Sequence, residues 1–299
     1  MAAATAPTSS FRIRGSFHYS GNVKKPFRKV GVKASQMITA SLRARRPQNV
    51  SGEFFVDHTC IDCDTCRWMA PENFARAGDM SAVYKQPSCE EERLRALQAL
   101  LSCPTSSIHT EKPSHDILEV QKTFPIPIDE HTLPGVYHCG FHSEKSFGAA
   151  SYLILCAEGN ILVDSPRYTR KLENNLKMLG GARYMFLTHS DDVADHEKWS
   201  NHLGCERILH SAEGSVCLLY KPCKVLFTGD HFAMSELGLT IYERYNKFSV
   251  PKQLNSVKMM LDLDFEWILP GHGRRTKFRD LEDKNSSLRA FLQTKMQLL

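Results

Sequence analysis

The segment that decides the fold reads Arg183-Tyr-Met-Phe-Leu-Thr-His189-Ser-Asp-Asp-Val-Ala-Asp195-His196. An apolar run ends at Thr188, and two histidines and three aspartates follow it within eight residues. The run predicts a strand, and a strand that ends in such a cluster presents its side chains rigidly at the edge of a sheet. Imidazole and carboxylate groups together suit Zn, Fe or Mn, although surface loops are also rich in these residues. The segment alone therefore predicts either a metal site or a solvated loop.

The composition divides the chain into a basic N-terminal stretch and a mildly acidic remainder. Of the 299 residues, 42% are hydrophobic and 24% are charged, a balance that suits one large and one small folded domain. Residues 1–52 contain ten Lys or Arg and no acidic residue. Removing those ten from the 38 basic residues leaves 28 against 33 acidic residues, so the net charge of +5 does not indicate a nucleic-acid partner. No segment reaches the ~18 apolar residues of a membrane span.

The acid-free stretch has the composition of an organellar leader. It begins Met1-Ala-Ala-Ala, is rich in Ser and Thr, and lacks the apolar core of a secretory signal. This start favours a chloroplast transit peptide, so we expect residues 1–45 to be disordered or removed and the mature protein to lie in the stroma. A disordered basic tail is the alternative.

Four cysteines mark a small domain that we place at residues 53–112. Cys60, Cys63 and Cys66 have the spacing C-x2-C-x2-C, and Cys103 follows much later, before a proline. Three thiolates on one tight loop can hold three irons of a cubane cluster, and a distant cysteine before proline can hold the fourth. A zinc site usually pairs two C-x2-C knuckles, and disulfides are disfavoured in a reducing plastid. The spacing therefore favours a [4Fe–4S] cluster over zinc or disulfides.

These cysteines resemble those of a bacterial-type ferredoxin that carries one [4Fe–4S] cluster. The resemblance extends to Cys66-Arg-Trp-Met-Ala-Pro-Glu-Asn-Phe74 and to Cys103-Pro-Thr-Ser-Ser-Ile108. The second cluster of that family is missing, because the chain has no second C-x2-C-x2-C run. The resemblance implies a ferredoxin-like module that would exchange electrons with a partner.

A large domain follows at residues 135–299, after a proline-rich linker at 113–134. The predicted elements are a hairpin at 151–164, a helix at 169–179, strands at 184–187, 215–220, 224–228 and 265–269, and helices at 195–203, 251–261 and 281–299. Residues of metal-ligand type stand at the ends of four separate strands: Asp164, His189, Asp230 and His272. Their recurrence favours a metal site over a solvated loop.

The order of these motifs resembles the metallo-β-lactamase fold over residues 130–299. A strand-ending Asp, a T-H-x-…-D-H loop, T-G-D and P-G-H-G occur in that order. The resemblance implies an α+β chain in which the ferredoxin-like domain precedes an αββα sandwich with a metal site along one sheet edge. The chain is similar to a hydrolase-like branch with an H-x-D-D-V-A-D-H loop and an L-P-G-H-G-R-R ending. Plant and cyanobacterial members of that branch are similar to this chain in carrying a ferredoxin module.

The resemblance also implies a ligand set for one or two Zn or Fe ions. The residues that match the family's ligands are His189, Asp191, Asp195, His196, Asp230 and His272. Asp191 stands where the family usually has a second histidine, and Asp164 matches a carboxylate that supports the site through hydrogen bonds. Asp195 is expected to be catalytic, because it would orient or deprotonate the attacking water.

The connection between His196 and Asp230 departs from the family pattern. Only 33 residues separate them, which is short for this fold, and the histidine ligand that the family places there is missing. We therefore expect an internal deletion near residues 210–214 that leaves the strand around 207–210 exposed at a sheet edge. His210 is either a substitute ligand or an ordinary strand histidine, and we favour the second interpretation.

Three functions are compatible with the sequence. The first, which we expect, is metal-dependent hydrolysis of an ester, thioester or similar bond in a small-molecule substrate. The second is iron-dependent oxidoreduction fed by the cluster, which the His189-x-Asp191 start favours and the lack of a flavin domain opposes. The third is a non-catalytic cluster-binding protein with an incomplete hydrolase-like domain. The substrate cannot be derived from the sequence.

Overall fold

The computed structural model describes residues 42–189, 193–209, 215–246 and 249–297. Asp191 and His210 lie outside the described residues, as does the predicted leader up to residue 41. Residues 40–299 form one compact unit that contains both predicted domains. None of the described helices is long and apolar enough to span a membrane.

The small domain consists of two antiparallel strand pairs and two helices. The strand pairs are β1 (Phe54–Val56) with β4 (Ile108–Thr110), and β2 (Phe74–Ala77) with β3 (Met80–Val83). The helices are α1 (Thr65–Met69) and α2 (Glu90–Ser102). α2 packs against α1 and ends immediately before Cys103, so it brings this cysteine towards the loop that carries the other three.

The folded part of the chain begins before residue 45, earlier than the composition indicates. The Arg43 guanidinium donates to Asp57 Oδ2 at 3.2 Å, and the Arg45 guanidinium donates to Glu111 Oε1 at 2.9 Å. Composition assigns residues 42–45 to the leader because they are basic. Their arginines instead pack on the small domain, because its carboxylates face them.

The segment predicted as a linker is structured in part. It contains the short helix α3 (Ile117–Val120) and the strand β5 (Ile126–Pro127), and the side chains of Val120 and Phe124 are buried. Phe124 belongs to the same apolar cluster as Leu97 of the small domain and Leu153 of the large domain. The two domains therefore share one continuous core.

The large domain contains two β-sheets. The first comprises β5, β6 (Val136–His138), β7 (Tyr152–Ile154), β8 (Ile161–Val163), β9 (Tyr184–Leu187) and β10 (Glu206–Leu209), in the order β10-β9-β8-β7-β6-β5. The second comprises β11 (Leu218–Tyr220), β12 (Val225–Gly229), β15 (Trp267–Pro270) and β16 (Thr276–Lys277), in the order β11-β12-β15-β16. A separate hairpin is formed by β13 (Ala233–Ser235) and β14 (Gly238–Thr240).

The two sheets pack face to face through apolar side chains that alternate along their strands. Ile154 and Val163 of the first sheet share a buried cluster with Phe227 and Leu269 of the second. Because successive strand residues point to opposite faces, the neighbours of these residues face outwards to the helices. The inner cluster therefore forms the two central layers of the domain.

Helices cover the outer faces of both sheets. On the first sheet, α4 (Arg170–Met178) and α5 (His196–Leu203) contribute Leu172 and Trp199 to the core. On the second, α6 (Val250–Met259) and α7 (Leu281–Met296) contribute residues such as Leu288. The layers run helix, sheet, sheet, helix, which confirms the αββα fold behind a small ferredoxin-like domain.

β10 forms the exposed edge of the first sheet. It pairs with β9, and all four of its residues are exposed. β11 pairs antiparallel with β12. The deletion proposed at residues 210–214 lies outside the described residues and stays a prediction.

The ends of β9 and β12 meet at Gly229. A methyl group on Gly229 would lie 2.2 Å from Thr188 Oγ1, and the backbone of Gly229 is left-handed with a φ of 51°. Glycine satisfies both demands, because it has no Cβ and adopts positive φ without strain. The contact places His189, which follows β9, beside Asp230, which follows β12.

We expect Gly229→Ala to lower the free energy of unfolding more than Gly204→Ala does. Gly204 also has a left-handed φ, of 70°, but no atom lies within 4 Å of the position that a methyl group would take there. Gly204→Ala should cost about 1–2 kcal/mol for the left-handed backbone, whereas Gly229→Ala adds about 1–3 kcal/mol of overpacking against Thr188. Urea unfolding of both variants measures the difference, and equal losses would contradict close contact of the two strand ends.

Candidate functional site

A buried hydrogen-bonded chain joins the ends of β8 and β9. Asp164, immediately after β8, has a left-handed φ of 57° and accepts the backbone N–H of Thr188 at 2.8 Å. The Thr188 hydroxyl lies 2.9 Å from Asp164 Oδ2 and 2.9 Å from His189 Nδ1. All three residues are buried. The hydrogen bonds from Asp164 through Thr188 therefore orient the His189 imidazole.

These hydrogen bonds determine the tautomer of His189. The Thr188 hydroxyl has one hydrogen, which it donates to the ionised Asp164 carboxylate, so it accepts from His189 Nδ1–H. The proton on Nδ1 leaves Nε2 with a free lone pair, the form in which imidazole binds a metal. His189 Nε2 is buried and has no hydrogen-bond partner among the described residues.

The ionisation of Asp164 is opposed by its burial. Burial raises the pKa of Asp164 to about 6, although the nearby His189 and the hydrogen bonds from Thr188 lower it; the charge of Asp230 raises it further. A cation near both Asp164 and Asp230 would favour the ionised carboxylates.

Asp230 and His272 form the second half of this edge. Asp230 follows β12 and His272 follows β15, and His272 Nε2 lies 3.6 Å from Asp230 Oδ1, too far for a hydrogen bond. Asp230 Oδ1 is buried and has no hydrogen-bond partner within the described part of the chain. Orphaned buried atoms are uncommon and need an explanation such as an ion. Together with His189 Nε2, this oxygen fits a metal.

Asp195 is held by other partners. Its Oδ1 accepts from Lys145 Nζ at 2.7 Å and its Oδ2 accepts the backbone N–H of Tyr168 at 2.9 Å. Burial opposes its ionisation, but these two donors outweigh that effect and hold the pKa of Asp195 below its usual range. Asp195 is therefore a carboxylate whose two oxygens are both engaged.

His196 has the opposite tautomer to His189. A guanidinium only donates, so the contact of 3.1 Å between Arg207 and His196 Nδ1 makes Nδ1 an acceptor and places the proton on Nε2. Burial and the charge of Arg207 both lower the pKa of His196, which favours the neutral ring. As long as Arg207 keeps this contact, Nε2 carries a proton and cannot bind a metal.

The structure gives the predicted ligands different surroundings. His189, Asp230 and His272 lie on neighbouring strand ends with Asp164 behind them, whereas Asp195 and His196 have partners of their own. Within residues 42–189, 193–209, 215–246 and 249–297, no three His, Cys, Asp or Glu side chains converge on one ion position. The gathering of His189, Asp195, His196, Asp230 and His272 around one site stays a prediction. Lys145 and Tyr168 engage Asp195, and Arg207 engages His196.

Sequence reasoning missed Lys145, the partner of Asp195. It lies 50 residues before Asp195, in a loop that carries no motif. It also missed His138 and His142, a buried pair whose Nε2 atoms are 2.9 Å apart. Their spacing in the sequence carries no signal, because β6 ends at His138 and a loop returns His142 to it.

The four cysteines of the small domain line one small cavity. Its walls contain Cys60, Cys63, Cys66 and Cys103 together with apolar and hydroxyl side chains. Each thiolate of a cubane cluster binds a different iron, so the sulfurs must surround a volume and need not converge on one point. The cavity therefore fits a [4Fe–4S] cluster, although these sulfurs do not form a site for a single ion.

Backbone donors point at two of the sulfurs. The Ser81 N–H donates to Cys60 Sγ at 3.5 Å, and the Ser107 N–H donates to Cys103 Sγ at 3.3 Å. Such hydrogen bonds tune the reduction potential of a cluster. Burial raises the pKa of Cys63 to about 11, so this thiol stays protonated at neutral pH unless a metal binds it.

Family models match two consecutive parts of the chain. The 4Fe-4S single cluster domain of Ferredoxin I matches residues 56–110, and the metallo-beta-lactamase superfamily matches residues 114–272, which is more than half of the chain. None of the curated proteins compared with the chain matches it.

Solved structures give weaker likenesses. The metallo-beta-lactamase DIM-1 exposed to ceftazidime is 13% identical, with a TM-score of 0.39 over 55% of this chain and 95% of that chain. A metallo-beta-lactamase family protein from Thermus thermophilus is 16% identical, with a TM-score of 0.39 over 56% and 82%. An archaeal superfamily protein from Sulfolobus tokodaii is 12% identical, with a TM-score of 0.37 over 48% and 80%. The fold assignment rests on the family models and on the observed layers of helices and sheets, and it does not rest on these low TM-scores.

We expect Thr188→Val to destabilise the protein and Thr188→Ser to be tolerated. Valine removes the hydroxyl that donates to Asp164 and accepts from His189, so a buried carboxylate loses a donor at a cost of about 1–3 kcal/mol. Serine keeps the hydroxyl and loses only a methyl group. Chemical denaturation of both variants checks the order, and a valine variant as stable as the serine variant would contradict the hydrogen-bonded chain.

Proposed function

Because the chain belongs to the metallo-beta-lactamase superfamily and carries a single-cluster [4Fe–4S] domain, we propose that it is a metal-dependent hydrolase of an ester or thioester. The cluster serves as a redox or structural module of the same unit. The observation that carries this proposal is the pair of buried, unpartnered ligand atoms, His189 Nε2 and Asp230 Oδ1, at adjacent strand ends of the described chain. The sequence of residues 189–196 also resembles the H-x-D-D-V-A-D-H loop of one branch of the superfamily.

In this proposal, His189, Asp230 and His272 hold a Zn or Fe ion. Asp164 and Thr188 fix the His189 tautomer that leaves Nε2 free to bind. The ion would polarise the scissile carbonyl and lower the pKa of water to about 7. Asp191, His196 and a second ion belong to the wider ligand set that the family resemblance implies.

Asp195 takes the role of proton acceptor. Its lowered pKa keeps it ionised, and an ionised carboxylate can accept a proton from a water molecule. Lys145 Nζ occupies one of its oxygens, but the lysine side chain is 69% exposed. Because the lysine is exposed, its ammonium can leave Asp195, whose own side chain is 18% exposed, when a substrate enters.

Metal analysis of anaerobically purified protein tests the proposal. We expect about four irons that absorb broadly in the visible range, and one or two further Zn or Fe ions. Cys103→Ser should remove the visible absorption. His189→Ala should keep the cluster while it loses the further metal and the hydrolysis of ester and thioester probes.

The matched control for His189→Ala is His131→Ala, because His131 is exposed and far from the strand ends in sequence. This variant should keep the cluster, the further metal and the activity. Zinc in place of iron at the cysteines would contradict the cluster. Protein that contains the cluster iron but no further metal would contradict the proposal of a hydrolase.

A second candidate is a cluster-binding protein whose large domain does not catalyse hydrolysis. Two observations favour it: the described residues contain no convergent group of three ligands, and Asp195 is engaged by Lys145 and Tyr168. The same metal analysis separates the candidates, because this function requires cluster iron alone.

We also propose that the protein acts in the chloroplast stroma after loss of an N-terminal leader. The support is the lack of acidic residues before Glu53. Because Arg43 hydrogen-bonds Asp57 of the small domain, we place the proposed cleavage before residue 42. Mass spectrometry of the native protein should find a mature N-terminus within the acid-free stretch. A mature protein that begins at Met1 or Ala2 would contradict the leader.

A further inference from the structure

The loop that carries the cluster cysteines packs against loops of the large domain. A methyl group on Gly148 would lie 3.0 Å from Cys63 Cβ, so the two backbones approach closely there. The Thr65 hydroxyl lies 3.0 Å from His142 Nδ1, and both groups are buried. Residues 142–148 belong to the same segment as Lys145, the partner of Asp195. The cluster loop therefore lies next to the segment that carries Lys145.

An ion pair connects this loop to the turn that carries His272. The Arg274 Nε–H donates to Asp64 Oδ2 at 3.0 Å, and Asp64 lies between the cluster residues Cys63 and Cys66. Arg274 follows His272 by two residues. The contact between Asp64 and Arg274 therefore connects the neighbour of the cluster ligand Cys63 with the turn that carries the candidate metal ligand His272.

The Asp64–Arg274 pair is partly buried and belongs to a network. The Asp64 side chain is 14% exposed, and it also accepts from Arg67 Nε at 2.7 Å. Arg274 donates a second hydrogen bond to Glu236 Oε1 at 2.8 Å. Ion pairs with shared partners and low exposure are more rigid than isolated surface pairs. The network therefore defines the position of the Arg274 side chain.

The backbone around His272 is held on both sides by the large domain. The Gly271 N–H donates to Gly229 O at 2.8 Å, and the Arg274 N–H donates to Met234 O at 2.7 Å. The closest approach of the His272 imidazole to an acidic group of the described chain is the 3.6 Å distance to Asp230. The Tyr242 ring lies edge-on to the His272 imidazole, with 6.3 Å between the ring centres. The Arg274 side chain ties the turn that carries His272 to the cluster loop.

We propose that Asp64 is a positioning residue for the large-domain metal site. It holds Arg274, Arg274 holds the turn at residues 270–274, and the turn presents His272 to the metal. A cluster that orders residues 60–66 then raises the affinity of the large domain for its own metal. This coupling rests on the proposed metal site, and the experiment below separates the two.

Asp62 provides a matched control within the same loop. Both aspartates have a left-handed backbone, with φ values of 57° for Asp62 and 64° for Asp64, and both contact Arg67. The other partner of Asp62 is Arg76 of the small domain. Asparagine adopts the left-handed conformation readily, so Asp→Asn at either position removes the same charge without backbone strain.

The experiment titrates Co²⁺ into the full-length protein with its cluster intact and its large-domain metal removed. Because an oxidised [4Fe–4S] cluster is diamagnetic, the EPR signal of Co²⁺ reports the large-domain site. We expect Asp64→Asn and Arg274→Gln each to weaken Co²⁺ binding about 10-fold and to change the EPR signal. Asp62→Asn should bind like the wild type. The double variant should be no weaker than either single variant, since both remove the same contact.

Cluster absorption verifies that each variant is folded. If Asp64→Asn fails to assemble the cluster, Arg274→Gln carries the test, because it changes no residue of the cluster loop. Wild-type affinity and an unchanged EPR signal in a variant that keeps its cluster would overturn the coupling.

Hydrogen exchange in the absence of Co²⁺ separates the coupling from the proposed function. Amides of residues 271–277 should exchange faster in Asp64→Asn than in Asp62→Asn. If the wild-type protein binds no Co²⁺ but this difference is present, the proposed metal site fails and the structural coupling stands. Equal exchange rates in the two variants would overturn the coupling itself.

Discussion

The buried carboxylate of Asp164 is the constraint on which the candidate site depends. A carboxylate without water is costly unless hydrogen bonds and nearby charges satisfy it. Asp164 takes the backbone and hydroxyl donors of Thr188, and this use of the Thr188 hydroxyl forces His189 into the tautomer with a free Nε2. The same threonine packs against Gly229, which brings Asp230 alongside. One threonine thus links a supporting carboxylate, an imidazole and a second carboxylate across three strands.

The two domains pack as one unit, and the ferredoxin-like domain is not a separate attachment to the sandwich. Leu97 of the small domain, Phe124 of the connecting segment and Leu153 of the large domain belong to one buried cluster. At the other end of the contact, Asp64 and Arg274 form an ion pair. Shared apolar burial resists separation of the domains, and the ion pair specifies which loops meet. The position of the cluster loop next to the turn that carries His272 follows from both.

The sequence predicted the features that depend on local pattern. The hairpin at 151–164, the strand at 184–187 and the helix that begins at residue 281 depend on alternation, helical spacing and turn residues, and the structure contains them. The placement of Asp164, His189, Asp230 and His272 at strand ends followed from the same pattern. The strand predicted at 215–220 is shorter, because Ser215 bridges His189 outside the ladder that begins at Leu218.

Features that depend on distant contacts could not be predicted in this way. Asp64 and Arg274 are 210 residues apart, and no sequence pattern around either residue indicates a contact with the other domain. Lys145 has no motif, yet it holds the carboxylate that the family resemblance identifies as catalytic. From residue type alone, His189 and His196 are equivalent ligands. The structure distinguishes them, because Thr188 determines the tautomer of His189 and Arg207 determines that of His196.

One compact unit contains both the four-cysteine cavity and the strand ends that carry His189, Asp230 and His272, and we propose that each holds a metal centre of its own chemistry. X-ray absorption spectroscopy of the full-length protein, recorded at the edges of iron and of any second metal, tests this proposal. We expect iron surrounded by sulfur, and a second population of Zn or Fe with only nitrogen and oxygen ligands. A second metal bound by sulfur, or sulfur-bound iron as the sole metal, would contradict it.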